Sequence, residues 1–110
     1  MDVHADLAAS PPVLAVSGEL DIHTQGRLLD EGATALDRLS ATQTQLSLDL
    51  GQVTFVDSSG LSALVTINNR AQALGKRLVL VRPSTSLRQL LNLTALDQIF
   101  AVAGPDETTA

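Results

Sequence analysis

The 110-residue sequence contains no cysteine, which excludes disulfide frameworks, thiol nucleophiles and zinc sites built on thiolates. Aromatic residues make up only 2% of the chain, namely Phe55 and Phe100. Proteins that bind single-stranded nucleic acid usually stack bases on aromatic side chains, so this class is strongly disfavoured. Hydrophobic residues nevertheless account for 45% of the chain, so we expect a core of Leu, Val, Ile and Ala.

Basic residues are also few, since 7 Lys and Arg face 12 Asp and Glu and the net charge is −5 at pH 7. This balance argues against binding to the DNA backbone or to an anionic membrane surface. Residues 1–57 hold nine acidic and two basic residues (net −7), whereas residues 58–110 hold three acidic and five basic residues (net +2). The asymmetry indicates either a surface that orients a partner or simply solvated charged faces.

No apolar run approaches the roughly 18 residues of a membrane span. The N-terminus lacks the basic stretch and apolar run of a signal peptide, so we expect a cytoplasmic protein. The length fits one domain over residues 1–110, with its core at about residues 10–103 and a short polar C-terminal tail.

Apolar periodicity predicts eight elements in the order strand, strand, helix, strand, helix, strand, helix, strand. The first two strands flank Ser10-Pro11-Pro12, and a later strand over residues 46–50 continues, after a turn at Gly51-Gln52, over residues 53–56. Thr24 is the expected N-cap of the first helix, Gly75 follows the second, and a residue among 84–86 caps the third. This alternation predicts an α/β fold with one mixed sheet of about four to five strands and helices packed against it.

The segment 56–61, Val-Asp-Ser-Ser-Gly-Leu, lies where a predicted strand passes into a predicted helix. At a helix N-terminus the Ser58 hydroxyl is reachable, and a phosphate placed on it would meet unpaired amides and the positive end of the helix dipole. Gly60 lets another backbone approach closely. Asp57, the serines and the glycine are equally typical of an ordinary helix cap, so both interpretations remain open.

The segment 18–24 also ends a strand and begins a helix. Because such corners share one edge of a parallel sheet, we expect Asp21 and Asp57 to lie near Ser58. A phosphate beside two carboxylates would change the local electrostatics sharply. The alternative for Asp21 is a plain turn or cap residue.

A serine hydrolase is a poor match, because Val56 stands where a nucleophile elbow needs its first glycine. The chain has two histidines, and we place His4 in a frayed N-terminus, which leaves His23 as the one candidate base. No phosphate-binding glycine loop and no metal-ligand spacing is present. We therefore expect no catalytic residues, no metal, no cofactor and no enzymatic activity.

Taken together, residues 18–21 with Thr24, residues 53–61, residues 78–81 with Ser84, residues 87–96 and Ile99-Phe100 resemble the anti-sigma factor antagonist family, which is the STAS domain. The resemblance spans residues 10–103 in order. Ala95 departs from it, because many relatives have glycine there.

The resemblance implies partner switching in bacterial transcription. The unmodified antagonist would bind an anti-sigma factor that is also a serine kinase, and so free the sigma factor. Phosphorylation at Ser58 would release the antagonist, and a phosphatase would restore it. Asp21 corresponds to the family's kinase-contacting acid, while Asp57, Ser59 and Gly60 flank the acceptor. The alternative is a STAS adaptor subunit of a membrane transporter, such as a lipid-transport ATPase, or of a stress-signalling assembly.

Overall fold

A computed structural model describes residues 1–103, so the polar tail expected after residue 103 lies outside the described residues. It contains five strands and three helices in the predicted order. A short 3-10 helix, Leu96–Gln98, precedes the last strand. The strands are β1 (Asp2–Asp6), β2 (Val13–Leu20), β3 (Gln45–Val56), β4 (Arg77–Val81) and β5 (Ala101–Ala103), and the helices are α1 (Gln25–Asp37), α2 (Ser58–Ala73) and α3 (Thr85–Leu93).

The five strands form one sheet in the order β1-β2-β3-β4-β5. β1 is antiparallel to β2, and the other neighbouring pairs are parallel, which confirms the mixed sheet. His4 pairs with Ala15 within β1, so its placement in a frayed N-terminus was wrong. Pairing begins at Asp2, upstream of residue 10, because the antiparallel hairpin fixes the backbone of the first residues.

β3 is one continuous strand, so the turn expected at Gly51-Gln52 is absent from it. Its pairing with β2 shifts register twice, once between Ala15 and Ser17 and once between Gly18 and Glu19. At each shift β3 contains one residue more than β2, which is the arrangement of a β-bulge. The turn-like residues therefore mark a bulge that leaves the strand unbroken.

The hydrophobic core lies on one face of the sheet, beneath the three helices. Strand alternation directs every second residue to this face. The strand residues that are nearly fully buried there are Leu14, Val16, Leu20, Leu46, Leu48, Leu50, Leu78 and Leu80. The helices add Leu28, Leu36, Leu61, Leu64, Ile67, Leu87 and Leu91 to the same cluster. The sheet and helices thus build a two-layer domain from aliphatic side chains, as the composition predicts.

The helix ends follow local rules that the sequence shows in part. Gly75 has a φ of +70° and directly follows the C-cap of α2, as predicted. The amide of Lys76 donates to the carbonyl of Ala71 (2.8 Å), which completes a Schellman motif. Ser84 caps α3 by accepting a hydrogen bond from the Leu87 amide (3.1 Å).

Ala95 adopts a left-handed backbone, with a φ of +61°, just after α3. This conformation is unfavourable for a residue that carries a Cβ atom and is readily adopted by glycine. This backbone gives a physical reason for the glycine that the family resemblance implies at this position.

Candidate functional site

The strands β2 and β3 end side by side, which brings the two predicted acidic corners together. Leu20 pairs with Val56, so Asp21 and Asp57 are the next residues of two adjacent parallel strands. Neighbouring strands lie about 4.8 Å apart. The Asp57 amide also donates a hydrogen bond to the carbonyl of Leu20 (3.1 Å). The structure therefore places both acids at the same edge of the sheet as the start of α2.

Asp57 is the N-cap of α2. Its Oδ1 atom accepts hydrogen bonds from the amides of Ser59 (2.9 Å) and Gly60 (3.1 Å). The helix-cap interpretation of this segment is therefore confirmed for Asp57. The expectation of unpaired amides is wrong for Ser59 and Gly60, because the carboxylate of Asp57 binds them. A phosphate on Ser58 would reach them only by displacing Asp57.

Ser58 is the first residue of α2, and its side chain is exposed. Ser59 is half-buried and Gly60 is buried, so the motif presents its residues to solvent very unequally. A modifying enzyme would therefore meet the hydroxyl of Ser58 first.

Gly60 is the point where α2 touches the end of β2. A Cβ atom at this position would lie 2.3 Å from the Leu20 carbonyl oxygen and 2.7 Å from the Leu20 Cβ. The close backbone approach expected from this glycine is therefore present. It fixes the distance between the start of α2 and the corner that contains Asp21.

Asp21 and Thr24 form a hydrogen-bonded turn between β2 and α1. The Asp21 Oδ1 atom accepts from the amides of His23 (2.9 Å) and Thr24 (3.2 Å). The Thr24 hydroxyl accepts from the Asp21 amide and donates to the Glu19 carbonyl. Thr24 occupies the N-cap position of α1, but its side chain caps no helix amide, because this turn engages its hydroxyl.

The same turn lowers the pKa of Asp21. Partial loss of solvent acts to raise the pKa of Asp21, but the hydrogen bonds from His23 and Thr24 and the nearby imidazole together outweigh it. The pKa of Asp21 therefore lies below its usual value, and the edge bears this negative charge at neutral pH.

Two exposed apolar side chains at this edge were missed by the sequence analysis. Ile22 is 65% exposed and Phe55 is 52% exposed, although both residue types are normally buried. Phe55 also lines an open groove of about 270 Å³ between the end of β3 and the start of α3. One indication of this exposed surface was present in the sequence, since one of its two aromatic residues lies three positions before Ser58.

His23 is exposed, and no hydrogen bond in residues 1–103 joins its side chain to Ser58. The serine–histidine pair required by a hydrolase is therefore not formed in the part of the chain described. Within the same residues no helix has the length and apolarity to cross a membrane.

Comparison with known proteins agrees with this architecture. The family model described as "Mlab, STAS domain" matches residues 3–102. The chain belongs to the STAS domain family. A STAS-domain containing protein of Pseudomonas aeruginosa is 30% identical over 90 residues, which cover 77% of this chain and 88% of that protein.

Solved structures show the same fold at low sequence identity. An anti-sigma factor antagonist from Mycobacterium paratuberculosis is 24% identical, with a TM-score of 0.79 and coverage of 98% of this STAS domain and 91% of that chain. The Bacillus cell fate determinant SpoIIAA, in its phosphorylated form, is 21% identical, with a TM-score of 0.68 and coverage of 98% and 96%. A sulfate transporter family protein from Wolinella succinogenes is 23% identical, with a TM-score of 0.65 and coverage of 86% and 78%. The same fold therefore occurs in proteins of more than one kind.

Proposed function

We propose that this STAS domain is a non-enzymatic anti-sigma factor antagonist, switched off by phosphorylation at Ser58. In its unmodified form it binds an anti-sigma factor with serine kinase activity and frees the sigma factor. The observation that carries the proposal is the exposed hydroxyl of Ser58 at the first position of α2, on the edge that also holds Asp21 and Asp57. The likeness in fold to SpoIIAA, a protein solved in a phosphorylated form, supports it.

The edge combines the two properties that such a switch needs. Ile22 and Phe55 offer exposed apolar area for a partner, and such area gives most of the free energy of association. Phosphorylation adds a charge of about −1.5 to −2 at neutral pH. At Ser58 this charge would stand beside the ionised Asp21 and would have to be desolvated in the complex. A cost of about 4 kcal/mol weakens binding roughly a thousandfold.

The test uses the purified chain, ATP and the serine-kinase anti-sigma factors of the same organism. We expect one phosphate per chain, located on Ser58 by mass spectrometry. The Ser58→Ala variant should accept none and still bind, whereas Ser58→Asp should bind at least 10-fold more weakly. A phosphatase of the same organism should remove the phosphate and restore binding.

Ser62 provides the matched control, because it is exposed one helical turn further along α2. The Ser62→Ala and Ser62→Asp variants should be phosphorylated and bound like the unaltered chain. The proposal is wrong if Ser58→Ala still gains a stoichiometric phosphate, or if phosphorylated and unmodified chains bind the kinase equally well.

A second candidate is an adaptor subunit of a membrane transporter, which would use the same edge without reversible modification. The likeness in fold to a sulfate transporter family protein favours it. Co-purification with an integral membrane permease, unaffected by Ser58→Asp, would support this alternative over the first.

A further inference from the structure

The sheet has a second face that no helix covers in residues 1–103. Register places two complete rows of side chains across all five strands on this face. The first row is Asp6, Val13, Ser47, Val79 and Ala101, and the second is His4, Ala15, Asp49, Val81 and Ala103. None of the apolar members of these rows belongs to the core cluster beneath the helices. We propose that two copies of this chain associate through this uncovered face to form a symmetric dimer.

The uncovered face combines a polar central strand with apolar neighbours. Ser47 and Asp49 of β3 lie at its centre, flanked by valine and alanine side chains of β2, β4 and β5, around a hollow of about 320 Å³. An antiparallel or mixed sheet that faces water normally alternates apolar residues on the core face with polar residues on the other. Here the strands on both sides of β3 carry valine and alanine on the uncovered face as well. Small apolar side chains suit face-to-face packing of two sheets about 10 Å apart.

The uncovered face carries acidic residues on one side and basic residues on the other. Asp2 and Asp6 lie on the outer strand β1, in register with Ser17 and Val13. Arg77 lies on β4, in the alternation of Val79 and Val81, and forms no ion pair within residues 1–103. Arg82, just after β4, reaches the same face and binds Asp49 through its guanidinium group (2.6 Å). Asp49 neutralises Arg82, so the face has an acidic side on β1 and one basic residue, Arg77, on β4 that has no ion-pair partner within residues 1–103.

This polarity selects a second copy of the chain as the occupant. A two-fold axis parallel to the strands and between the two sheets places β1 of each copy over the β4 side of the other. Asp6 lies two residues along the strand from the level of Arg77, within reach of its long side chain. The interface is thus complementary in charge to itself, as a two-fold symmetric contact requires.

The proposed dimer face is separate from the edge that contains Ser58. The edge contains the ends of β2 and β3 and the starts of α1 and α2, whereas the rows of the face cross β2 at Val13 and Ala15 and β3 at Ser47 and Asp49, at least five residues before these strands end. Dimerisation would leave both copies of Ser58 accessible. The dimer and the proposed partner switch therefore stand or fall independently.

The first test is sedimentation velocity of the full chain between 1 and about 200 μM at low and high salt. We expect a reversible monomer–dimer equilibrium. Val81→Glu, which buries a negative charge opposite the acidic β1 of the other copy, should weaken dimerisation at least 100-fold. Ile22→Lys, in the exposed turn between β2 and α1, is the matched control and should leave the equilibrium unchanged. Circular dichroism verifies that both variants are folded.

Charge reversal gives a second, independent test. Arg77→Glu should weaken the dimer about 10-fold, and Asp6→Arg should do the same, because each places like charges together. The double variant should recover most of the affinity. If both single variants weaken the dimer and the double variant does not regain affinity, the proposed symmetry is wrong.

A chain that remains monomeric at 200 μM would overturn the proposal. So would a dimer whose concentration-dependent amide and methyl NMR shifts fall on the Ser58 edge or on the helices and leave β2 and β4 unaffected. A dimer that Ile22→Lys disrupts and Val81→Glu does not would also overturn it, because the contact would then lie on the edge.

Discussion

The carbonyl oxygen of Leu20 lies where a side chain on Gly60 would have to stand, only 2.3 Å from the position of a Cβ atom. The obstructing atom belongs to the backbone, so it cannot rotate away as a flexible side chain could. The start of α2 and the end of β2 are therefore fixed to each other by the absence of a single methyl group.

Gly60→Ala should consequently lower the free energy of unfolding by about 3 kcal/mol, the upper range for overpacking. Chemical denaturation measures it. Gly26→Ala is the matched control, because no atom lies within 4 Å of its Cβ position in α1. That variant should be more stable than the unaltered chain by about 0.5–1 kcal/mol, since alanine favours helix. Equal effects of the two substitutions would contradict the close approach.

The capping role of Asp57 can be separated from its charge. Asp57→Asn retains an oxygen that can accept from Ser59 and Gly60, so it should change stability by less than about 0.5 kcal/mol. Asp57→Ala removes the acceptor and should cost about 1 kcal/mol. Thermal unfolding distinguishes the two. If Asp57→Asn is as unstable as Asp57→Ala, the charge stabilises the domain and the cap contributes little.

Ala95→Gly should stabilise the domain by about 1 kcal/mol, because glycine adopts a φ of +61° without the penalty that a Cβ atom brings. For a domain of this size that gain raises the melting temperature by roughly 4–8 °C. The same substitution should have the opposite effect within a helix. Ala73→Gly in α2 should destabilise the domain by up to about 1 kcal/mol. A fall in melting temperature for Ala95→Gly would mean that the alanine side chain has a stabilising contact.

The ion pair of Asp49 and Arg82 predicts a defined pH dependence. Partial burial acts to raise the pKa of Asp49, but the hydrogen bond from Arg82, the Gly51 amide and the charge of Arg82 outweigh it and hold the pKa below its usual value. A carboxylate whose pKa is lowered by folding adds stability that is complete above its unfolded pKa of about 3.9. This stability is lost as the pH falls through the folded pKa.

Asp49→Asn should therefore be less stable than the unaltered chain by about 1 kcal/mol at pH 7, since the pair is partly exposed. The difference should shrink when unfolding is repeated at pH values below about 4. Asp37 pairs with Arg70 on a more exposed surface, so Asp37→Asn should show a smaller difference at pH 7. If the loss of stability in Asp49→Asn does not vary with pH, ionisation of the Asp49 carboxylate is not its cause.

Sequence patterns predicted most of the fold, because each element has a strong local signal. Alternating leucines predicted the strand at residues 46–50, and the glycine at position 75 marked the end of α2. Local signals failed where pairing with a distant strand decides the outcome. The pairing with β2 turned the expected break at Gly51 into a bulge, and it ordered His4 in β1.

The sequence predicted where the candidate site lies, but it did not predict all of its hydrogen bonds and exposed side chains. Parallel strands end at one edge, and this topology alone brought Asp21 and Asp57 beside Ser58. The sequence could not decide whether Asp57 caps α2 or leaves its amides unpaired, because both arrangements use the same residue types. The exposure of Phe55 depends on tertiary packing, which no local pattern encodes. The functional roles of these residues remain predictions that the variants above test.

The pair formed by Asp49 and Arg82 also changes how the uneven charge of the chain is interpreted. Together with Asp37 and Arg70 it joins an acid of the first half to a base of the second half. Part of the asymmetry along the sequence is thus neutralised within the molecule and is not available to orient a partner.

The strand order of the sheet repeats the order of the strands along the chain. Each new strand can therefore be added at the free edge that the previous strand left, and none has to be inserted between two strands that already pair. A chain emerging from the ribosome with its N-terminus first could extend the sheet in one direction as synthesis proceeds.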